Sequence, residues 1–481
     1  MNTTRKRGLV VALGAAGALA FGAGALAGSD FGSDVQSELA HKSRKLFGVT
    51  KPLAASSPES ITATAAAADP TRLVTLARGL DAHVVTTGSG PNTDMIALWP
   101  NSDHPTHLIA CNEQGTTAPG LQRIELATGA VQTIVTGTST CDPAKRTPWG
   151  TIIFGEETAN GQLLELIDPL STTGVQYNRA TGVFSGGTNP QNLVRRTALG
   201  QLAYEGLGLL PNGVLYYGDE QRPANGTPGG GFFKFIPTAP WSGGPPISDL
   251  NDSPFTAGSV YALRIGLRVE GSTGAIDYGQ GNNVGAGSWI PVCSDVTATP
   301  TRCTSTNPSL RNFAATNKTT GYYRPEDLEA DEAALAAGQA KVCGANTGIE
   351  EFATYGEVVC ITDGTVDEAT ANTATPEAHY LVIGDPQFAL PDNVTYQPNR
   401  GNWLVHEDGD QLQGNNDLFS CLPDGTDDNL LSDGCVRIAS LNDLNAELTG
   451  GIFDASGSIL YISVQHNVTG HGVVLAITGW K

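Results

Sequence analysis

A hairpin unit that recurs along this 481-residue chain constrains its fold more than any other feature. In each copy an apolar strand runs into a turn of Pro, Asp, Asn or Gly residues, and a second strand rich in β-branched and aromatic residues follows. The copies are "GLGLLPNGVLYYGDE" (206–220), "NVTYQPNRGNWLVHEDGD" (393–410), "GGIFDASGSILYISVQH" (450–466) and a fainter "LQRIELATGAVQTIV" (121–135). A single hairpin cannot bury both of its faces, whereas blades stacked around a central channel can. We therefore predict an all-β fold, a single β-propeller over residues 76–481. A sandwich or a β-helix would also contain hairpins, and the pattern alone leaves both open.

Composition agrees with a strand-rich chain. The sequence has 59 Gly and 28 Pro against 2 Met, which favours tight turns over amphipathic helices. Two polar stretches, roughly 222–260 and 329–380, are predicted to be loop insertions. "EDLEADEAALAAGQA" (326–340) is the best candidate for a short helix.

Residues 1–27 have the pattern of a signal peptide. Basic residues at 5–7 precede an apolar run, and Ala25-Leu26-Ala27 is a small-residue cleavage signal. The alternative is an uncleaved membrane anchor, although the Ala/Gly-rich run is barely long enough to span a bilayer. Residues 28–75, rich in Ala, Ser and Thr, are predicted to be a flexible lead-in. We expect a secreted protein, extracellular or at the cell envelope, with no stable membrane insertion.

The eight cysteines fall into four neighbouring pairs. An even count in an exported chain favours disulfides, although sequence alone does not fix their connectivity. The expected pairs are Cys111 with Cys141, Cys293 with Cys303, Cys343 with Cys360, and Cys421 with Cys435.

The net charge of −21 restricts the partners of the chain. Nucleic acid and anionic membranes would be repelled by such an acidic protein. In an exported protein the same acidity suits divalent cations, among which Ca²⁺ is the abundant hard ion outside the cell.

Acidic residues stand at many of the predicted strand ends. They are Glu113, Glu156, Glu157, Glu205, Asp219, Glu220, Glu326, Asp392, Glu407, Asp408 and Glu447. One such residue is ordinarily a solvated turn residue, but the blades of a propeller converge on one axis and would bring several together. Two like charges about 4 Å apart repel by about 4 kcal/mol at an effective dielectric near 20, so a cluster must be protonated or bind cations. We predict that the cluster binds cations.

Several of these acidic motifs occur in a familiar order. The order is "TPWGT…EE" (147–157), "YEGLG" (204–208), the acidic pair 219–220, "RPE" (324–326), "PDN" (391–393), "GNWLVHEDG" (401–409) and "AELTG…GSILYISVQH" (446–466). In this the chain resembles the PhoX family of secreted bacterial alkaline phosphatases, from about residue 76 to its C-terminus.

The resemblance implies a six-bladed propeller that hydrolyses phosphate monoesters at an axial site holding Ca²⁺ and iron. It implies that Glu157, Glu205, Glu326, Asp392 and Glu447 are metal ligands and that Arg324 binds phosphate. A guanidinium can hold two phosphate oxygens at once, which suits that role. Less direct matches as ligands are Glu156, Asp219, Glu220, Glu407 and Asp408. An ion pair of Arg324 with a neighbour such as Asp327 is the structural alternative.

Two departures from the family pattern bear on the metals. The family has a bridging cysteine upstream of "TPWGT", and its nearest counterpart, Cys141, lies one position further from Trp149. Cys141 also has Cys111 as a plausible disulfide partner, and a disulfide sulfur cannot bridge two metals, so iron is left open. The second departure is the order "GDE", which leaves open whether Asp219 or Glu220 is the ligand.

The sequence leaves two other functions open. One is a Ca²⁺-dependent propeller phosphotriesterase or lactonase, which would not need Arg324. The other is a Ca²⁺-stabilised propeller that binds a surface partner without catalysis. The expected partner of the phosphatase is a small phosphate ester, and the expected state is a monomer.

Overall fold

The computed structural model describes residues 33–222, 230–266, 284–292, 309–317, 319–349, 354–409, 414–423 and 434–481. The predicted signal peptide and the predicted pair Cys293–Cys303 lie outside the described residues.

Strands are the main regular structure of the described chain. They are β1 Val74–Leu76, β2 Asp81–Ser89, β3 Thr93–Trp99, β4 His107–Asn112, β5 Pro119–Glu125, β6 Val131–Thr136, β7 Cys141–Arg146, β8 Ile152–Gly161, β9 Leu163–Leu166, β10 Val175–Asn178, β11 Val183–Ser185, β12 Leu193–Arg195, β13 Leu202–Leu209, β14 Leu215–Asp219, β15 Phe232–Pro237, β16 Gly258–Ile265, β17 Gly285–Pro291, β18 Pro325–Ala330, β19 Gln339–Asn346, β20 Glu357–Thr365, β21 Glu377–Ile383, β22 Pro391–Tyr396, β23 Trp403–Glu407, β24 Asp417–Cys421, β25 Cys435–Leu441, β26 Glu447–Phe453, β27 Leu460–Gln465 and β28 Gly472–Thr478.

The helices are short. They are α1 Ser33–Leu46, α2 Ala63–Ala68, α3 Leu310–Asn317, α4 Glu332–Ala336 and α5 Val366–Ala371, with single 3₁₀ turns at Pro70–Leu73, Pro190–Asn192, Thr197–Leu199, Leu250–Asp252 and Pro254–Thr256. None of these described helices is long and apolar enough to cross a membrane.

The strands form successive antiparallel groups, as expected of a β-propeller. The first strands of six groups are β3, β7, β13, β18, β22 and β26, and each contacts the next in this order, with β26 returning to β3. The N-terminal strands complete the last two groups, because β1 pairs with β25 and β2 pairs with β28. Start and end of the chain are thereby joined in one sheet, and the predicted all-β propeller fold is confirmed.

The hydrophobic clusters follow the six groups of strands, but the hydrogen-bonded sheets do not. Six hydrophobic clusters lie between consecutive groups, including one between the last group and the first, where Tyr461 and Val474 pack with Ile96 and Leu108. Hydrogen bonds instead join some groups, through β8 with β13 and β17 with β21, so that four sheets result. The sheets do not close into a barrel, and the blade number of six stays a prediction.

Neighbouring first strands approach each other closely. Gly206 in β13 lies against β18, where a Cβ on Gly206 would come within 1.8 Å of the Leu328 backbone nitrogen. A residue with a side chain would push the two strands apart, so glycine is needed at this point.

Two predictions about insertions were wrong in part. Segments 222–260 and 329–380 were expected to be loops, but the first contains β15 and the second contains β19, β20 and the start of β21. Apolar and β-branched runs such as "VVCIT" favour strands once neighbouring strands cover them. The helix expected over 326–340 is confined to α4, and residues 325–330 form β18 instead.

Three of the expected disulfides are present: Cys111–Cys141, Cys343–Cys360 and Cys421–Cys435. The last two each join residues that face each other on adjacent strands, in β19 with β20 and in β24 with β25. Cys111 and Cys141 instead link the first group to the second.

The described part of the predicted lead-in packs against the propeller. Phe47, Val49 and Leu73 are fully buried beside residues of the last two groups. The side chain of Ser56 donates to Asp417, and that of Ser57 donates to Asn442. Small polar residues thus hold this segment against β24 and β25.

Candidate metal centre

Each first strand contributes one carboxylate near its N-terminal end. These residues are Asp94 in β3, Asp142 in β7, Glu205 in β13, Glu326 in β18, Asp392 in β22 and Glu447 in β26. Because the first strands contact one another in a ring, their carboxylates meet. The carboxyl of Glu205 interacts directly with those of Asp142 and Glu326, and Asp392 lies close enough to repel Glu326 and Glu447.

A second set of carboxylates comes from the strands that follow. In four groups this second carboxylate residue is Glu113, Glu157, Glu220 or Asp408. Its backbone N–H donates a hydrogen bond to the carbonyl of the residue two positions before the first carboxylate of the same group. These hydrogen bonds are Glu113 to Asn92, Glu157 to Thr140, Glu220 to Ala203 and Asp408 to Leu390, all between 2.8 and 3.1 Å. In the fourth group Thr347 takes this position: its N–H donates to Arg324 and its hydroxyl donates to Glu326 Oε1 at 2.9 Å.

This repeated register explains which of two adjacent acidic residues faces the axis. Neighbouring strand residues point to opposite faces, so one member of each acidic pair is turned away. Glu156 binds Arg179 Nε at 2.7 Å and the N–H of Ser139. The structure thus brings Glu157, and not Glu156, into the axial cluster.

The same division holds for the other two acidic pairs. Asp219 is bound by two nitrogens of Arg311, whereas its neighbour Glu220 joins the cluster. Glu407 accepts the N–H groups of Ala389 and Asp417 away from the axis, whereas Asp408 interacts with Glu447.

Cys141 lies beside the cluster with its sulfur bound to Cys111. Its neighbour Asp142 is fully buried, and neither of its carboxylate oxygens has a hydrogen-bond donor among the described residues. At this position the chain therefore offers an unpaired carboxylate and no thiolate.

Burial makes the charged form of these carboxylates costly. Desolvation raises the pKa of Asp94 to about 7, and the negative charges of Glu157 and Asp408 add to the shift. Desolvation likewise raises the pKa of Glu326 to about 8, although Arg324 opposes the shift. The pKa values of Asp142, Glu205 and Asp392 are raised well above the usual range for the same two reasons.

The spacing of the oxygens suits cations. One oxygen each of Asp94, Glu113 and Asp142 lie within 4.8 Å of one another, and the same is true of Glu113, Glu157 and Glu205. Carboxylate oxygens are the ligands that Ca²⁺ prefers. The residues present therefore fit hard divalent cations.

Arg324 lies inside the ring of carboxylates. Its Nε donates to Glu220 Oε1 at 2.8 Å, and its Nη2 lies 2.9 Å from Glu326 Oε1. Its φ of +55° is in the left-handed region, which is strained for arginine and is typical of functional positions. Asp327 instead accepts the N–H of Val394.

Polar side chains orient the buried carboxylates. Gln465 Nε2 donates to Asp94 Oδ2 at 2.9 Å and to Glu113 Oε2 at 3.1 Å. Thr449 donates to the other oxygen of Asp94. Nε2 of His466 lies 3.4 Å from Glu447 Oε1.

Sequence reasoning missed two carboxylates and undervalued a third. Asp94 and Asp142 were not proposed as ligands, and Glu113 was noted only as an acidic strand end. One signal was present, since the same fifteen positions separate Asp142 from Glu157 and Glu205 from Glu220. That spacing can be interpreted only when the pairing of the strands is known.

The "TPWGT" motif lies away from the axis. Trp149 is fully buried, and its Nε1 donates to Glu165 Oε1 at 2.8 Å. Glu165 also accepts from Thr151 and Ser253 and pairs with Arg196. The motif anchors the turn that leads into β8, and β8 carries Glu157 to the axis.

The first strands of this β-propeller bring carboxylates together at its centre. The protein is therefore an acid-lined propeller with a candidate metal centre. The profile of the family "Alkaline phosphatase PhoX" matches residues 97–467. The chain belongs to this family, as the motifs of the sequence indicated, and the family supports a phosphatase.

Comparison with solved structures finds matches of low sequence identity. The aldose sugar dehydrogenase of Streptomyces coelicolor, in its PQQ-bound form, is 12% identical in sequence, with a TM-score of 0.41. The match covers 84% of this chain and 100% of the dehydrogenase chain. The gluconolactonase XC5397 of Xanthomonas campestris is 10% identical, with 89% and 96% covered and a TM-score of 0.40. The WD40 propeller domain of Doa1 is 8% identical, with 82% and 97% covered and a TM-score of 0.37. Among curated proteins no match was found.

Proposed function

We propose that this protein is an exported, metal-dependent phosphomonoesterase that holds Ca²⁺ in its axial carboxylate cluster. The cluster comprises Asp94, Glu113, Asp142, Glu157, Glu205, Glu220, Glu326, Asp392, Asp408 and Glu447. The observation that carries the proposal is the cluster of closely spaced carboxylates around Arg324, with Asp142 unpaired among the described residues, in a chain of the alkaline phosphatase PhoX family.

Cations are the simplest counterpart of this cluster. Ten carboxylates at one axis, with Arg324 among them, leave a large excess of negative charge, and five of the ten residues are buried. Both oxygens of Asp142 and Oε2 of Glu326 have no hydrogen-bond partner among the described residues, which leaves them available to bind a cation. A bound divalent cation would neutralise phosphoryl charge and lower the pKa of a bound water.

Ca²⁺ is the proposed metal, and iron is not included. With Cys141 in a disulfide, the thiolate that the resemblance implies for iron is lost. Asp142 stands one position closer to Trp149, at the spacing of the family cysteine, and we propose that it provides oxygen ligands in its place.

Arg324 has the central protein role in the proposed reaction. Its planar guanidinium would bind two oxygens of the phosphate and fix the phosphorus in position, which is most of what phosphoryl transfer needs from a protein. Glu220 and Glu326 hold that guanidinium from two sides, so that its orientation is set before substrate arrives.

Glu156, Asp219, Glu407 and Cys141 are not part of the proposed ligand set. The first three have protein partners outside the cluster, and the fourth is bonded to Cys111. Export is proposed from the leader pattern over 1–27 together with the three disulfides, which are typical of oxidising compartments. A single chain is proposed as the working unit, with residues 76–481 as the phosphatase domain and a small phosphate ester as its substrate.

Hydrolysis of p-nitrophenyl phosphate at alkaline pH by the purified mature chain tests the proposal. Activity should appear with Ca²⁺, disappear after treatment with a chelator, and return when Ca²⁺ is restored. A folded protein that is inactive with Ca²⁺ would reject the phosphatase function and favour a propeller that acts on another ester or only binds a partner.

A further inference from the structure

Three arginines meet at one edge of the carboxylate cluster, around Glu220. Arg324 binds the Glu220 carboxylate, Arg311 donates from Nη2 to the Glu220 carbonyl at 2.9 Å, and Arg222 Nε lies 3.9 Å from Glu220 Oε1. We call these three residues the arginine edge. Among the described residues, Arg324 and Arg222 are the only arginines or lysines that form ion pairs with cluster carboxylates, and Arg311 reaches the cluster through the Glu220 carbonyl.

Arg311 is held rigidly by a residue that faces away from the axis. Its Nε and Nη2 bind the two oxygens of Asp219 at 2.8 and 2.6 Å. This bidentate pair fixes the plane of the guanidinium and uses none of the cluster carboxylates. In the described part of the chain Nη1 of Arg311 makes no hydrogen bond, and 22% of its side chain is exposed.

Positive charge at the arginine edge matters because the rest of the molecule is strongly negative. A phosphate ester approaching a chain of net charge −21 is repelled over most of the surface, and fixed positive charge at one edge would attract it there. Arg311 and Arg324 contact the same residue, Glu220, so both guanidinia lie within reach of one small substrate. Arg324 is the deeper of the two, since only 13% of its side chain is exposed.

Building on the proposed function, we propose that Arg311 is a specificity residue that favours substrates with a second acidic group near the scissile phosphate. Arg324 binds the phosphate that is hydrolysed, and Nη1 of Arg311 binds a carboxylate or second phosphate a few bonds away. Arg222, which is 60% exposed on its side chain, adds positive charge at the rim.

Two substrates of nearly equal size test the proposal. Glycerol 3-phosphate and 3-phosphoglycerate differ in that a carboxylate replaces a hydroxymethyl group. Phosphate release gives kcat/KM for each with the wild-type protein, Arg311→Ala and Arg311→Lys, all loaded with Ca²⁺. Arg311→Ala should lower kcat/KM for 3-phosphoglycerate about tenfold more than for glycerol 3-phosphate, as expected for loss of one hydrogen bond between charged groups. Arg311→Lys should retain part of this preference.

A matched control separates specificity from structure. Arg179 is 28% exposed on its side chain and pairs with the buried Glu156 outside the cluster, much as Arg311 pairs with Asp219. Arg179→Ala should leave the ratio of the two kcat/KM values unchanged. Equal losses on both substrates in Arg311→Ala would overturn the proposal while leaving the phosphatase function intact. Failure on both esters by a protein that hydrolyses p-nitrophenyl phosphate would also overturn this inference alone, whereas failure on all three substrates would reject the proposed function itself.

Discussion

At the scale of single residues, the site depends on which of two adjacent acidic residues faces the axis. The motif "EE" at 156–157 names two candidates of the same chemistry. The hydrogen bond from the N–H of Glu157 to Thr140 fixes the register and turns Glu156 toward Arg179. Sequence can propose such a pair, but only the pairing of strands distinguishes its members.

The two glutamates provide a matched pair of variants. Glu157→Gln should weaken Ca²⁺ binding at least tenfold, because it removes one charged ligand from the cluster. Glu156→Gln should leave Ca²⁺ affinity within about twofold and act mainly on stability, through the buried ion pair with Arg179. Calorimetric titration of metal-free protein with Ca²⁺ measures both affinities. Equal weakening in the two variants would contradict the assignment.

Arg324 is the residue on which catalysis should depend most. Arg324→Ala should reduce kcat/KM for p-nitrophenyl phosphate by about 100-fold or more, because a fixed charged donor to the transition state is lost. Arg324→Lys should recover only part of the loss, since an ammonium cannot bind two oxygens in one plane. Steady-state kinetics with Ca²⁺ present measures both. An Arg324→Ala variant with nearly full activity would show that the substrate is bound elsewhere.

At the scale of elements, the unit of the site is a first strand with its neighbour. Five groups share one hydrogen bond from the second strand to the residue two positions before the first carboxylate. The sequence predicted hairpins well where a turn is marked by Gly, Asn or Pro, as at 206–220. It failed at 329–380, where polar residues between strands were interpreted as loops and the neighbouring strands that cover β19 and β20 could not be seen.

Close packing of the first strands leads to a prediction about Gly206. Gly206→Ala would place a Cβ 1.8 Å from the Leu328 backbone nitrogen, so it should lower the free energy of unfolding by more than the about 1–3 kcal/mol usual for overpacking. Gly208→Ala, in the same strand, meets the movable side chain of Val342 at 2.9 Å and should cost less. Denaturant unfolding compares the two. A smaller loss for Gly206→Ala would mean that β13 and β18 are less closely packed.

At the scale of the whole molecule, the propeller gathers charges that are distant in sequence. Asp94 and Glu447 meet because the last group lies beside the first. The family motifs predicted the propeller fold, and seven of the ten residues of the cluster, Glu220 and Asp408 among them as less direct matches, were named from the sequence. Asp94 and Asp142 were not predicted because nothing local distinguishes a buried carboxylate from a solvated one before the ring is closed.

The gathered charges should make the metal-free protein sensitive to pH. Burial raises the pKa of Asp94 to about 7 and that of Glu326 to about 8, whereas in the unfolded chain such groups titrate near about 4. The folded state therefore holds more protons than the unfolded state between these values, so the free energy of unfolding falls as pH rises through this window. With a chelator present, the Tm should decrease from about pH 5 to about pH 8.

Added Ca²⁺ should reverse this trend. A cation replaces the protons as the partner of the carboxylates, so the difference in Tm between Ca²⁺-loaded and chelated protein should widen as pH rises to about 8. Thermal unfolding at several pH values measures this difference. A gap that is constant or shrinks toward pH 8 would argue against a shared cation site in the cluster.

We propose that the axial carboxylates hold Ca²⁺ without a thiolate-bound iron. Elemental analysis of the purified, active, exported protein tests it most directly, with Glu157→Gln analysed in parallel. We expect bound Ca²⁺ in the wild-type protein, a lower Ca²⁺ content in the Glu157→Gln variant and no stoichiometric iron. Active protein that carries iron at one or more atoms per chain, or that retains full activity with no bound cation, would contradict it.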